Sequence, residues 1–201
     1  GSDGHLYGVA RAGGPNGTGA VYRIARDGSG FTVLHAFGAV TSEATVSPPT
    51  NPDGMNPTGT LLAAADGYLY GTASRGGANG TGTLFRMRLD GTGFEVLRTL
   101  PALVASSTDP GTNTDGAGPA AGLTDGQDGR FYGVLSQGGA NGYGTLFSFD
   151  PVGRVFTVMH DFDNTGGAQP SGELLLAQNG ALVGTTTGGG TNANGNNTPY
   201  G

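Results

Sequence analysis

The chain is predicted to be all-β, a β-propeller or propeller segment built from four-stranded antiparallel repeats, and three observations carry that expectation. First, the stretch running from Gly4 through Leu6-Tyr7-Gly8 to Ala20-Val21-Tyr22-Arg23 returns from Gly67 and from Gly129, and half of it returns from Gly180. The matching core positions are Tyr7, Tyr70, Tyr132 and Val183, a spacing that suits a supersecondary unit better than a solenoid rung. Second, each copy holds short apolar runs separated by Gly-rich or Asp-Gly turns, with no window of helical apolar spacing. Third, large apolar residues stand side by side, as in Leu69-Tyr70 and Leu84-Phe85. Neighbours on a strand point to opposite faces, so both faces of such a sheet must be covered.

The four runs of each copy are designated A to D. Run A is expected over Thr60–Ala64, Ala120–Leu123 and Glu173–Ala177, and run B over His5–Ala10, Tyr68–Ala73, Arg130–Leu135 and Ala181–Thr186. Run C covers Ala20–Ala25, Thr83–Leu89 and Thr145–Asp150; run D covers Phe31–Phe37, Phe94–Leu100 and Phe156–Phe162. Asp66-Gly67, Asp128-Gly129 and Asn179-Gly180 join A to B, and Asp27-Gly28 and Asp90-Gly91 join C to D, all residue types that tolerate the positive φ of a hairpin turn. Gly8, Gly71, Gly133 and Gly184 follow the core position in each B run and are expected to let the next sheet approach closely.

The whole of 1–201 reads as one repeat domain fragment: about 1–58 (BCD), 59–117 (ABCD), 118–171 (ABCD) and 172–201 (AB, truncated). Fewer than four blades do not close a ring, so flanking repeats or edge pairing with other copies is expected to complete it. A β-trefoil is the alternative, since it too has a threefold internal repeat.

Composition excludes more than it assigns. The 201 residues include 42 glycines, no cysteine and no lysine, with a net charge of −6. Disulfides, thiolate chemistry, Schiff bases and lysine general bases are ruled out. Without a basic stripe there is little to hold nucleic acid, and no apolar run approaches the roughly 18 residues of a membrane span.

Candidate site residues fall at one end of the sheets, where the B-to-C loops and the long D-to-A insertions (38–58, 101–117 and 163–171) emerge together. The loops Gly13–Gly19, Gly76–Gly82 and Gly138–Gly144 could offer Asn16, Asn79 and Asn141 amides to a ligand, although a feature present in every copy is also what a turn demands. Tyr143 stands where Thr18 and Thr81 stand in the other loops and supplies a flat ring for a sugar. Asp115, with Glu43, Asp53, Asp109 and Asp163, is an insertion acid. Two oxygen clusters, Asp109/Asn113/Asp115 and Asp161/Asp163/Asn164, are weak calcium candidates that match no EF-hand. His35 and His160 fall on different copies and His5 stands alone at the start of a B run, so the three do not form a metal set. Glu173 is the one acid in an A run; as a glycosidase residue it would need a second carboxylate. Asn16, Asn79 and Asn196 open glycosylation sequons by pattern.

Leu69-Tyr70-Gly71-Thr72 followed by Gly76-Gly77-Ala78-Asn79-Gly80-Thr81-Gly82-Thr83-Leu84-Phe85 resembles the signature of the Gloeo/Verruco tandem-repeat family of bacterial choice-of-anchor proteins. The resemblance implies a secreted or surface-anchored bacterial protein and transfers no catalytic residues. The leading expectation is therefore a non-catalytic extracellular scaffold or glycan-contacting adhesin, its partner an extracellular polysaccharide. The alternatives are a propeller hydrolase or lyase and a self-assembling subunit.

Overall fold

The computed structural model describes residues 1, 3–41, 48–105 and 110–191. Glu43, Asp109 and Asn196 lie outside the described residues. All regular structure in the described residues is β, in fourteen strands and four sheets. Among the described residues no helix is long and apolar enough to cross a membrane.

The first sheet is β1 (His5–Ala10), β2 (Ala20–Ala25) and β3 (Thr32–Ala36), paired in that order. The second is β4 (Asn51–Ala63), β5 (Tyr68–Gly77), β6 (Thr83–Arg88) and β7 (Glu95–Thr99). The third runs β12 (Val155–Asp161), β11 (Thr145–Asp150), β10 (Phe131–Gln137) and β8 (Ala117–Pro119), with β9 (Thr124–Asp125) also on β10. The fourth pairs β13 (Ala168–Leu176) with β14 (Leu182–Gly188). Every strand pairing is antiparallel. The C-to-D pairing slips at the same place in each of the three copies that have a D strand, between Val21/Tyr22, Leu84/Phe85 and Leu146/Phe147.

Two compact units make up the chain, Gly1–Thr99 and Leu100–Gly201. In the first, Tyr7, Val9 and Val21 of the first sheet pack with Phe37 on Leu69, Ala73, Phe85 and Met87 of the second. In the second, Tyr132, Val134 and Leu146 of the third sheet pack on Leu174 and Leu182 of the fourth. On β5 the neighbours Leu69 and Tyr70 are both buried, as are Phe131 and Tyr132 on β10, so these strands are dry on both faces. Burying whole Leu, Phe and Tyr side chains contributes about 1.5–3 kcal/mol each and is the main source of stability here.

Three expectations need correcting. The A strands begin well before Thr60 and Glu173: β4 starts at Asn51 and β13 at Ala168. Part of what the sequence reads as D-to-A loop is therefore sheet. The strand passes Pro57, Pro119 and Pro170 with its register kept, the residue before each proline (Asn56, Gly118, Gln169) standing at positive φ. In the third copy, Ala120–Leu123 is not strand but the gap between β8 and β9. The second and fourth copies slip register at the corresponding place, between Thr58 and Leu62 and between Ser171 and Leu175.

The B-strand glycines do not admit the next sheet: three of the four seat a ring from their own, and Gly184 lies under Leu174 of β13. Gly8, Gly71 and Gly133 pair across the ladder with Tyr22, Phe85 and Phe147. A Cβ on Gly71 would lie 2.5 Å from Phe85 Cζ, and one on Gly133 2.6 Å from Phe147 Cζ. The ring lies flat over the glycine, filling the space that a side chain would take.

A tyrosine clamp closes the turn ahead of β1, β5 and β10, but not that ahead of β14, where Val183 replaces the tyrosine. Tyr70 and Tyr132 donate their hydroxyls to Asp66 and Asp128 at 2.6 Å, and Tyr7 does the same to Asp3. Burial first, and the Asp66 carboxylate next, push the Tyr70 phenol up to about 12; Tyr7 rises to about 12 from burial and Asp3.

Candidate functional site

The glycine-rich B-to-C loops are closed on themselves. Gly19, Gly82 and Gly144 donate their N–H groups to Gly13, Gly76 and Gly138 carbonyls at 3.0–3.1 Å, across a short parallel bridge. The glycines at both ends of each loop have positive φ, the conformation that excludes other residues. Repetition of this geometry marks the loops as a structural turn, with those N–H groups turned inward.

Asn16 is exposed, but its amide donates to the Phe37 carbonyl at 2.9 Å, beside Thr18 Oγ1 at 2.7 Å. Both pin the loop to the end of β3. Asn79 is half-buried and Asn141 exposed on the corresponding loops. Asp115 is buried and accepts from Thr114 Oγ1 at 2.9 Å.

Tyr143 differs from its equivalents. Thr18 and Thr81 are buried, whereas Tyr143 is half-buried and lines a cleft of about 280 Å³ with Ser136, Gln137, Gln169, Leu103 and Pro110. The left-handed residue ahead of the A-strand proline borders this cleft. Gln169, held at φ 53, donates its N–H to the Tyr143 carbonyl at 2.8 Å, as Asn56 does to Thr18 in the first unit. No lining residue carries a charge. One aromatic ring, two exposed amides and a hydroxyl around a shallow space suit an uncharged polyol, because every polar contact is a neutral hydrogen bond and the ring offers an apolar face.

Sequence reasoning missed Asn51, and it read Asn113 as a calcium candidate rather than for the part it plays. Asn51 is buried; its amide donates to Gly38 O at 3.0 Å and Gly54 O at 2.6 Å, while its Oδ1 accepts from Gly54 and Gly77 N–H. Asn113 repeats the pattern with Pro101, Gly116 and Gly139. Each ties the insertion to the start of its own sheet's B-to-C loop. The signal was the shared Asn-x-Asp-Gly at Asn51 and Asn113. Asn113 is thereby occupied with backbone groups, and Asp163 likewise accepts from Thr165 and Gly166 N–H, so these calcium-candidate oxygens cap turns. Among the described residues no group of three His, Asp or Glu side chains converges as a metal set.

His35 is more than a rim residue. It meets Asp53 at 3.0 Å and stacks on Phe94 at 3.6 Å between centroids. Asp53 also accepts the Gly38 N–H at 2.9 Å; burial opposes its ionisation, but His35 and Gly38 outweigh it and hold the carboxyl below its usual range. His5 meets Asp3 at 3.1 Å, and His160 is exposed edge-on to Phe162. Glu173 is exposed on β13.

Comparison with known proteins fits this architecture. The model of the Gloeobacter/Verrucomicrobia repeat matches residues 1–197. The chain belongs to that family. Among solved structures, this Gloeobacter/Verrucomicrobia repeat chain is similar to a chain in the crystal structure of a nidogen/laminin complex, with a TM-score of 0.52 and 16% identity over 84% of its length. The match spans 48% of that chain, about half, and at this identity it speaks for the fold alone. No curated protein matches the Gloeobacter/Verrucomicrobia repeat chain.

Proposed function

We propose that this Gloeobacter/Verrucomicrobia repeat chain is a non-catalytic segment of a β-propeller, displayed outside a bacterial cell, whose loop end holds a neutral saccharide. The Tyr143 cleft carries the reading: a ring and amide side chains with no charged lining. The two-sided burial of β5 and β10 supports stacked blades, since an open sheet would leave one face polar. The net charge of −6 disfavours an acidic polysaccharide, which the chain as a whole would repel. The exposed setting of Glu173 and the backbone-bound Asp53 favour a binding role over acid-base chemistry.

The test is affinity electrophoresis through gels containing neutral glucans or mannans, or acidic alginate or pectate, with Tyr143→Ala alongside. Retardation by a neutral polymer that weakens about tenfold or more in the variant, about 1.4 kcal/mol, is the expected result. Equal mobility of the wild type in every gel, or retardation only in acidic gels, contradicts the reading.

A further inference from the structure

The faces of the first and fourth sheets carry the two halves of a contact that the chain already makes within its first unit. There, the Tyr7, Val9 and Val21 side of one sheet packs on the Leu69, Phe85 and Met87 side of the next. The receiving side is marked by a ring pair, Phe85–Phe94, with centroids 5.3 Å apart. The first sheet carries the same pair as Tyr22–Phe31, also 5.3 Å apart, on the face that holds Leu6 and Val33. Among the described residues this face is open: Phe31 is 60% exposed and Leu6 51%, whereas Leu69, the equivalent of Leu6, and Phe85, the equivalent of Tyr22, are buried.

The giving side recurs on the fourth sheet. Val183 holds the register position of Tyr7 and Tyr70, one residue before the B-strand glycine, and pairs directly with Leu175 on β13. The side of β14 that carries Leu182 faces the third sheet. Val183 and Leu175 point the other way and are 52% and 66% exposed. The first-sheet face, with Leu6 paired to Ile24 and Tyr22 to Val33, lacks the alternating polar residues of a sheet meant for water.

We propose that the Leu175–Val183 face of one copy docks on the Leu6–Tyr22–Phe31 face of a second copy, continuing between chains the sheet stacking of the first unit. The repeat itself points to this occupant, because each face is one side of a sheet pairing that this sequence forms elsewhere. The contact is heterologous, head to tail, and each chain carries both faces, so assembly closes into a ring or runs on as a filament according to the rotation between copies. It is apolar and therefore insensitive to salt.

Sedimentation equilibrium of the full chain across the micromolar range tests it, with Phe31→Ser and Val183→Glu, both at exposed positions that leave the core intact. The wild type is expected to rise in mass with concentration. Each variant alone is expected to associate at least about tenfold more weakly. An equimolar mixture restores association, stopping at a dimer, because the intact Val183 face of one variant meets the intact Phe31 face of the other. A wild type that stays at one chain mass overturns the proposal. So does a variant that associates as the wild type does, or a mixture that remains monomeric; the last would mark a symmetric contact.

Discussion

Replacing Gly71 with alanine probes the seat of the B-strand ring. The backbone of Gly71 is not left-handed, so alanine is conformationally acceptable and the cost is steric. The new Cβ would stand 2.5 Å from Phe85 Cζ and 2.8 Å from Leu61 Cδ2, both of which must move inside a packed core. Overpacking of this kind costs about 1–3 kcal/mol. The lower entropy of the unfolded alanine chain returns about 0.4–1 kcal/mol, leaving a net loss of about 1–2 kcal/mol. Urea unfolding of Gly71→Ala, Phe85→Leu and the double variant forms a cycle. Leucine in place of the ring removes the clash with Cζ, so Gly71→Ala should cost less than about 0.5 kcal/mol in that background, a coupling of about 1 kcal/mol. Gly67 is the control: its φ is +82 with nothing within 4 Å of a built Cβ, so alanine there costs about 1–2 kcal/mol through the backbone alone. That cost should be indifferent to Phe85. Equal costs for Gly71→Ala in both backgrounds, or no cost at all, would refute the ring-over-glycine account.

Asn51→Ala strips partners from the backbone groups of Gly38, Gly54 and Gly77 in a buried place, and should lose at least about 2 kcal/mol in the same unfolding assay. Asn51→Asp should fare no better, since it loses the amide donor and buries a charge. Tyr7 and Tyr70, with phenols raised to about 12, should ionise well after free tyrosine in an alkaline absorbance titration. Because the fold favours the neutral phenol, their contribution is intact below pH 10 and lost as pH rises towards 12. Tyr70→Phe should lower stability by about 1.5–3 kcal/mol near neutral pH, measured by urea unfolding, through loss of the charge-assisted bond to Asp66.

The B and C strands were legible because their signals are local. Asp-Gly turns bound them, adjacent large apolar residues mark them, and β1, β2 and β11 have the predicted limits. The A strands were less so, for proline at 57, 119 and 170 reads as a break when the ladder is not in view. The left-handed residue ahead of each proline, past which the ladder keeps its register, varies among Asn56, Gly118 and Gln169 and gives no common letter. The role of Gly71 was misassigned because a glycine admits close approach from any direction, and only the register shows that Phe85 is opposite. Tyr143 was legible as a departure from its own repeat. Its companions Gln137 and Gln169 were not, since they come from two other segments that meet at the cleft only through the fold.

Native-state hydrogen exchange along the four B strands tests the stacking of two-sided sheets most directly. Amides of β5 and β10, flanked by strands on both edges and buried on both faces, should exchange slowest, at or near global unfolding. Those of β1 and β14, each paired along one edge with an apolar face in water, should exchange well ahead of them. Equal protection in all four strands, or fastest exchange in β5, would contradict the account.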